Sequence, residues 1–338
     1  NYMLLETQAA SDMSDRSFHV RFGETDPRLV DPNPKTVHHR DMIQGILPIP
    51  KQEKFVTHSR DGTVRVWKAD KLEHLRTLKV SDSWVTDCKH FAYSNRLVAS
   101  SIDRSVTFYD ATSYEQTAQL SGLDTSPLCI GYWQDLEYER MILGDDAGNI
   151  SLFDVLPEKL NQDATDGSLS AAQHRIYRDR RHADWVTKCQ FYPELNFMVS
   201  SSLDGTLKIG DLERRSRHCR QLGEVDKHGA KKGVYAFEWS NTFKVLASCG
   251  LERTVSIWNP YTRSGKPLAL LQGHNSSVQQ VTINEESSQL ITCSIDKTMK
   301  VWDMRNYKCL QTIQDKTSYR PEDRVSALLY DPVRSQLL

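Results

Sequence analysis

Apolar and polar residues alternate in short runs along most of this chain, and the runs recur in sets of four. In the first set, residues 42–49 (MIQGILPI) alternate and residues 54–59 (KFVTHS) form a second run. An Arg-Asp-Gly turn follows, residues 63–69 (TVRVWKA) alternate at period two, and residues 74–80 (HLRTLKV) close the set. Alternation over four to eight residues predicts strands with one buried face, and Asp-Gly at 61–62 and 204–205 supplies turn chemistry between second and third strands. The set returns near the end of the chain as VQQVTIN, QLITCS, DKTMKVWD and CLQTIQ. Six third runs end at Trp67, Tyr109, Phe153, Gly210, Trp258 and Trp302, at steps of 42, 44, 57, 48 and 44 residues. Six positions before these ends stand Asp61, Asp103, Ala147, Asp204, Glu252 and Asp296, and eight before stand Ser59, Ser101, Asp145, Ser202, Gly250 and Ser294. A period of this length marks stacked copies of one supersecondary unit.

The copies fall near 37–80, 81–122, 126–156, 182–222, 228–272 and 273–315, with the start of a seventh at 324–338. Residues 1–36 do not match the repeat, and prolines 27, 32 and 34 predict an extended linker there. Residues 157–181 cause the 57-residue step and read as an inserted polar loop. Asn1 at the start and a repeat that breaks off at Leu338 give both ends the look of cuts from a longer protein.

Composition narrows the chemistry. The 338 residues are 38% hydrophobic and 26% charged with a net charge of -1, which argues against bulk electrostatic binding of nucleic acid or membrane. No apolar stretch approaches the length of a membrane span. The seven cysteines form no C-x-x-C pair and read as reduced, intracellular thiols, with Cys88, Cys189, Cys249 and Cys293 at repeated core positions. No phosphate-loop, H-E-x-x-H or G-x-S-x-G motif is present, and DATDG at 163–167 lacks the acidic spacing of a calcium loop. No catalytic residue, cofactor or metal is therefore expected.

A Gly-His before the first strand, Ser or Thr and Asp around the second turn, and Trp-Asp ending the third strand resemble the WD-repeat β-propeller family. The sixth copy carries the whole set as Gly273, His274, Ser294, Asp296, Trp302 and Asp303. The first has His39, Ser59, Asp61 and Trp67; the second keeps Asp103; the fourth has His182, Ser202 and Asp204, with Gly210 in place of Trp. The resemblance implies an all-β propeller with six four-stranded blades and the start of a seventh. It also implies a buried chain in each blade: Asp accepts from His, His from Ser or Thr, and the chain ends at the Trp indole. An Asp-His-Ser set could otherwise be a hydrolase triad, but a triad occurs once per site and this set recurs with the repeat.

Partners come next. Trp84 and Trp185, in the matching segments SWVTDC and DWVTKC, stand just before first strands, where tryptophan anchors protein interfaces; the alternative is that both rings pack between blades. The matching position in the seventh copy is Arg324. Residues 174–232 hold 13 Lys or Arg against eight Asp or Glu, including Arg180, Arg181, Arg214 and Arg215, a candidate surface for an acidic partner such as tubulin tails. Arg305 completes a W-D-x-R pattern similar to the box by which some propellers dock onto cullin-RING ubiquitin ligases. Segments such as KFVTHSRDGTVRVW and DWVTKCQFYPELNFMVSSSLDGTLKIGDL resemble WD-repeat proteins of motile cilia and flagella. In that group EF-hands precede a double propeller. The resemblance implies a non-enzymatic scaffold of the cytoplasmic axoneme, bound to axonemal or microtubule-associated proteins within a larger assembly. Substrate recognition for a ubiquitin ligase is the alternative.

Overall fold

The computed structural model describes residues 3–7, 18–22, 39–135, 137–158, 160, 168–211, 219–222, 232–262, 265–314, 325–334 and 336–338. The chain forms two compact units, one of His39–Val234 and one of Asn1–His38 with Tyr235–Leu338. Strands β1 (Met3–Thr7) and β2 (Phe18–Phe22) come first. Blade 1 is β3 (Ile43–Ile49), β4 (Lys54–Ser59), β5 (Thr63–Lys68) and β6 (His74–Lys79). Blade 2 is β7 (Val85–Phe91), β8 (Arg96–Ser101), β9 (Ser105–Asp110) and β10 (Gln116–Ser121). Blade 3 opens with β11 (Pro127–Gln134), β12 (Glu139–Asp145) and β13 (Asn149–Asp154). Then come β14 (Ser168–Ser170), the short helix α1 (Ala171–His174) and β15 (Arg175–Arg180). Blade 4 is β16 (Val186–Tyr192), β17 (Phe197–Ser202), β18 (Leu207–Gly210) and β19 (Arg220–Leu222). Blade 5 is β20 (Val234–Ser240), β21 (Val245–Gly250), β22 (Val255–Trp258) and β23 (Ala269–Leu271). Blade 6 is β24 (Val278–Asn284), β25 (Gln289–Ser294), β26 (Thr298–Asp303) and β27 (Cys309–Gln314), followed by β28 (Tyr330–Asp331) and β29 (Gln336–Leu337). The class is all-β, a WD-repeat β-propeller with six four-stranded blades, as the repeat implies.

The turn after each second strand shows why the period persists. Gly62 (φ 78°) and Gly205 (φ 82°) sit in the left-handed region, and a Cβ at Gly62 would collide with the Ser81 carbonyl oxygen. Arg104 (φ 67°) and Lys297 (φ 66°) hold the same conformation in blades 2 and 6.

Core residues lie between blades. Second strands are buried on both faces, so Val56, Leu97 and Ala99 join blade 1 to blade 2, while Cys129, Ile142, Val186 and Cys189 join blade 3 to blade 4. In the other unit, Ala247, Ile257, Val281, Leu290 and Trp302 join blades 5 and 6. Cys88, Cys189 and Cys249 are buried among these apolar side chains, and Cys293 is buried with Ile291 and Met299.

Two segments differ from the sequence reading. The linker expected over 1–36 contains β1 and β2, which pair with each other; β1 then pairs with β29 through Leu5↔Leu337 and Glu6↔Gln336, giving the sheet order β2-β1-β29-β28. The prolines that suggested a linker stand at 27, 32 and 34, beyond both strands. The loop expected over 157–181 contains β15, which is the fourth strand of blade 3, so that blade reaches Arg180 instead of ending near 156. Before it, β14 runs parallel to β10 as a fifth strand on blade 2. Leu160, Leu169 and Ala171 are buried with Leu120 and Phe153, apolar positions that a polar average over the segment conceals.

Candidate functional site

Blade 1 shows what the repeated polar residues do. The His39 Nδ1–H donates to Asp61 Oδ2 at 3.1 Å, and the Thr57 hydroxyl donates to His39 Nε2 at 2.8 Å. Thr57 Oγ1 in turn accepts from the Trp67 indole N–H at 2.8 Å, and Thr63 donates to Asp61 Oδ1 at 2.6 Å. Burial alone would raise the Asp61 carboxyl, but the Thr63 hydroxyl, the Arg40 N–H and His39 outweigh it and bring its pKa down to about 2. Burial lowers His39, against the pull of Asp61, so the pair is an ionised carboxylate facing a neutral imidazole. Blade 6 repeats the chain: His274 Nε2 lies 2.7 Å from Thr292 Oγ1, which accepts from Trp302 Nε1 at 3.0 Å. Burial, helped by Lys300, lowers His274 to about 4. In blade 5, Trp258 donates to Ser248 at 2.7 Å.

The hydroxyl in the middle of the chain is therefore Thr57, Ser200 or Thr292, and this corrects the expectation that Ser59, Ser202 and Ser294 fill that role. The reason is register. Phe55 lies opposite Trp67, and Thr57, opposite Arg65, is the diagonal neighbour the indole reaches; Ser59 lies a further step toward the turn. Ser59, Ser202 and Ser294 instead donate to the carbonyls of Asp41, Asp184 and Ser277 at 3.1, 3.1 and 2.9 Å. They pin the approach to each first strand. The spacing was available in the sequence, since Thr57, Ser200 and Thr292 each follow their histidine by 18 residues.

Blades 2, 3 and 4 vary the theme. Ser81 takes the histidine's place and donates to Asp103 at 2.6 Å. Thr125 does so in blade 3 and donates to Asp145 at 2.6 Å, with Arg178 Nη2 at 3.1 Å from the same oxygen. In blade 4 His182 meets Ser200 at 2.8 Å and Thr206 at 2.9 Å, and lies 3.4 Å from Asp204. Gly210 leaves no aromatic there. The Arg181 guanidinium lies against the gap, with Nη1 3.0 Å from where a Cβ at residue 210 would stand. Arg181 is thus buried, paired through Nε with Asp179 at 3.5 Å, and is not the exposed partner contact expected.

These networks hold a rim in the unit His39–Val234. The carbonyls of Met42, Trp84, Ser126 and Trp185 accept from the N–H groups of Arg60, Ile102, Asp146 and Leu203 at 3.0, 3.0, 3.1 and 3.0 Å. Ser126 is accordingly the blade 3 counterpart of the two tryptophans. Behind them, Thr86 donates to the Pro127 carbonyl at 2.8 Å and Thr187 to that of Val234 at 2.7 Å, which explains the shared W-V-T. The side chains remain outside: Met42, Trp84 and Trp185 are 39%, 43% and 47% exposed. Arg60 stacks over the Trp84 ring at 4.4 Å, a contact the sequence reading missed because it joins two blades.

Among the described residues of the basic stretch, Arg175, Arg178 and Arg181 are paired internally. Arg175 and Arg178 hold Asp124 at 2.8 and 2.5 Å. Arg180 is exposed on β15. Arg305 is exposed with a long contact to Asp303 at 3.6 Å. Arg214, Arg215, Arg324 and the 163–167 segment lie outside the described residues. Among the described residues, no group of three His, Cys, Asp or Glu side chains could hold a metal ion.

Comparison with known proteins agrees with the repeat. Residues 72–110, 174–211, 219–259 and 265–303 match the WD40 family model, described as "WD domain, G-beta repeat". The chain is similar to "Nuclear distribution protein PAC1" of Arthroderma otae, 29% identical over 152 residues, covering 41% of this chain and 31% of that protein. It is similar to "Nuclear distribution protein nudF" of Aspergillus flavus, 29% identical over 183 residues, covering 52% and 37%. A longer match, 22% identical over 296 residues, covers 77% of this chain and 28% of "WD repeat-containing protein on Y chromosome" of Anopheles gambiae. The chain spans about a third of the length of these relatives.

Proposed function

We propose that this chain of WD-repeat blades is a non-catalytic scaffold whose rim around Met42, Trp84 and Trp185 docks another protein. One observation carries the reading: three large apolar side chains stay exposed on residues whose backbone carbonyls are held by hydrogen bonds from the neighbouring turn. A rigid exposed tryptophan loses little entropy on binding and offers a large contact area. The His-Asp-hydroxyl sets, being buried and repeated from blade to blade, are structural. Relatives named for nuclear distribution favour a role in organising large cellular assemblies. Resemblance to ciliary WD-repeat proteins narrows this to the axoneme, with microtubule-associated partners in the cytoplasm of the cilium.

Co-sedimentation with purified doublet microtubules tests the reading. Trp84→Ala with Trp185→Ala should weaken association about tenfold or more, as for loss of interface anchors, while Arg305→Ala leaves it unchanged. Unchanged association of the tryptophan variant overturns the rim as docking face. Binding to a cullin-RING adaptor that is lost in Arg305→Ala would move the function to substrate recognition.

A further inference from the structure

The repeat sets three positions at each junction of blades: the residue after a second strand, the residue before the same blade's first strand, and the residue before the next blade's first strand. Where blade 1 meets blade 2 these are Arg60, Met42 and Trp84. Where blade 3 meets blade 4 they are Asp146, Ser126 and Trp185. Arg60 N–H donates to the Met42 carbonyl as Asp146 N–H donates to that of Ser126. Asp146 thus holds the place toward Trp185 that Arg60 holds toward Trp84. At the junction between them, of blades 2 and 3, the matching residue is Ile102.

The two tryptophan junctions are short of partners of opposite kinds. At the first, Arg60 Nε is buried and donates to nothing, while its guanidinium lies 4.4 Å from the Trp84 ring. Gln44 Nε2, on β3, is also buried without an acceptor. Gln44 follows Ile43 as Thr86 follows Val85 and Thr187 follows Val186, yet each threonine donates to a carbonyl of the next blade. Nearby carboxylates are engaged elsewhere. Asp41 accepts from the Met42 N–H at 2.6 Å, Asp61 serves His39 and Thr63, Asp82 pairs with Lys79 at 3.0 Å, and Asp103 holds Ser81 and Ser105. At the second junction the lack is reversed: Asp146 Oδ1 is buried and accepts no hydrogen bond. A buried polar group without a partner costs about 1–3 kcal/mol, which a docked molecule recovers by supplying the missing group.

We propose that the protein docked on this rim carries both charges along its contact segment: an aspartate or glutamate seated on Arg60 beside Trp84, and a lysine or arginine on Asp146 beside Trp185. The inference rests on the rim being the docking face, and adds the chemistry and direction of what docks there. A guanidinium already stacked on a ring loses little freedom when it takes up a carboxylate, and its planar fork matches the two oxygens. Gln44 adds a further donor from the first strand of blade 1. Ile102, half-buried between the two charges, suits an apolar residue in the middle of the segment. Opposite charges at the two ends fix which way the segment lies and turn away one of the reverse order.

Co-sedimentation of the full chain with purified doublet microtubules is the assay. Arg60→Met and Asp146→Asn nearly keep size and remove the charge, and each should keep the melting temperature. Each should weaken association about tenfold, as for loss of a charged hydrogen bond. Arg60→Asp with Asp146→Arg leaves the net charge at -1 and reverses the order, and should weaken association about a hundredfold or more. Association of this exchanged variant equal to that of the unmodified chain overturns the proposal, since net charge alone would then govern binding. A lower melting temperature in both single variants does so as well, because it assigns those groups to the fold. If both single variants bind like the unmodified chain while Trp84→Ala with Trp185→Ala does not, the proposal fails and the rim reading stands. Failure of the unmodified chain to sediment, or unchanged association of the tryptophan variant, overturns the rim reading and the proposal with it. Loss of association after the doublets are treated with phosphatase assigns the anion on Arg60 to a phosphate and overturns the carboxylate.

Discussion

Blades 1 and 4 carry the same histidine chain at the same spacing, yet they fill its far end in opposite ways. In blade 1 the middle hydroxyl receives an indole from its own third strand, at 2.8 Å. In blade 4 the third strand offers Gly210, and Arg181, the residue before the histidine, folds back into the space. The loop residue does the work of the strand residue. What both blades preserve is the link from carboxylate to histidine to second-strand hydroxyl, so the constraint lies in fixing the approach to the first strand. The aromatic is one of two solutions to filling the volume, and the charged solution needs Asp179 beside it.

The comparison can be broken from the blade 1 side first. Trp67→Ala removes a buried ring and leaves the Thr57 hydroxyl short of a donor, so unfolding in urea should show a loss of about 3–5 kcal/mol. Acid comes next. Burial holds His39 and His58 below the ordinary 6.5, His58 at about 4 in spite of Asp87, so both stay neutral when folded. The unfolded chain binds those protons first, and stability falls as pH drops from about 6.5 toward 4. Asp61, held near 2, adds stability that is complete above its ordinary 3.8 and is lost as pH falls toward 2. Hydrogen exchange of β4 and β5, corrected for intrinsic rate, should therefore lose protection in two stages, histidines before carboxylate; a single stage below pH 4 would contradict the neutral-histidine assignment. The smallest effect belongs to blade 4. Arg181→Ala should cost about 2 kcal/mol, since its pair with Asp179 is long and partly wet. Adding Gly210→Trp to that variant should recover about 1 kcal/mol, whereas Gly210→Trp alone overpacks against the guanidinium; additive losses would show that the two side chains do not share one space.

Much of this was legible in the sequence because it is periodic. The strand alternation, the Asp-Gly turns and the His-to-Asp spacing of 22 residues each repeat, so tertiary structure copies a local pattern. What was not legible depends on contacts between copies or on single substitutions. Arg181 reads as one more arginine in a basic run until Gly210 is seen beside it. Ser59 and Thr57 are both hydroxyls on one strand, and only the diagonal across to Trp67 tells them apart. Arg60 over Trp84 joins residues whose sequence separation has no periodic signature. The strands in residues 1–36 were hidden by prolines that follow them.

The cover strand β14 has a consequence for how this chain comes apart. In a stack of repeats each unit ordinarily feels its neighbours only through their shared face, and can open one at a time. Here the backbone leaves blade 3 after β13, runs along blade 2 as β14, and returns to finish blade 3 as β15. Blade 2 thus carries on its hydrogen-bonded edge a strand from the segment that completes blade 3. Peeling β15 pulls on β14, and freeing β10 releases the segment that leads into β15. Opening of blade 2 and opening of blade 3 are therefore coupled through this one segment, and amide exchange of β10 and β15 should respond together.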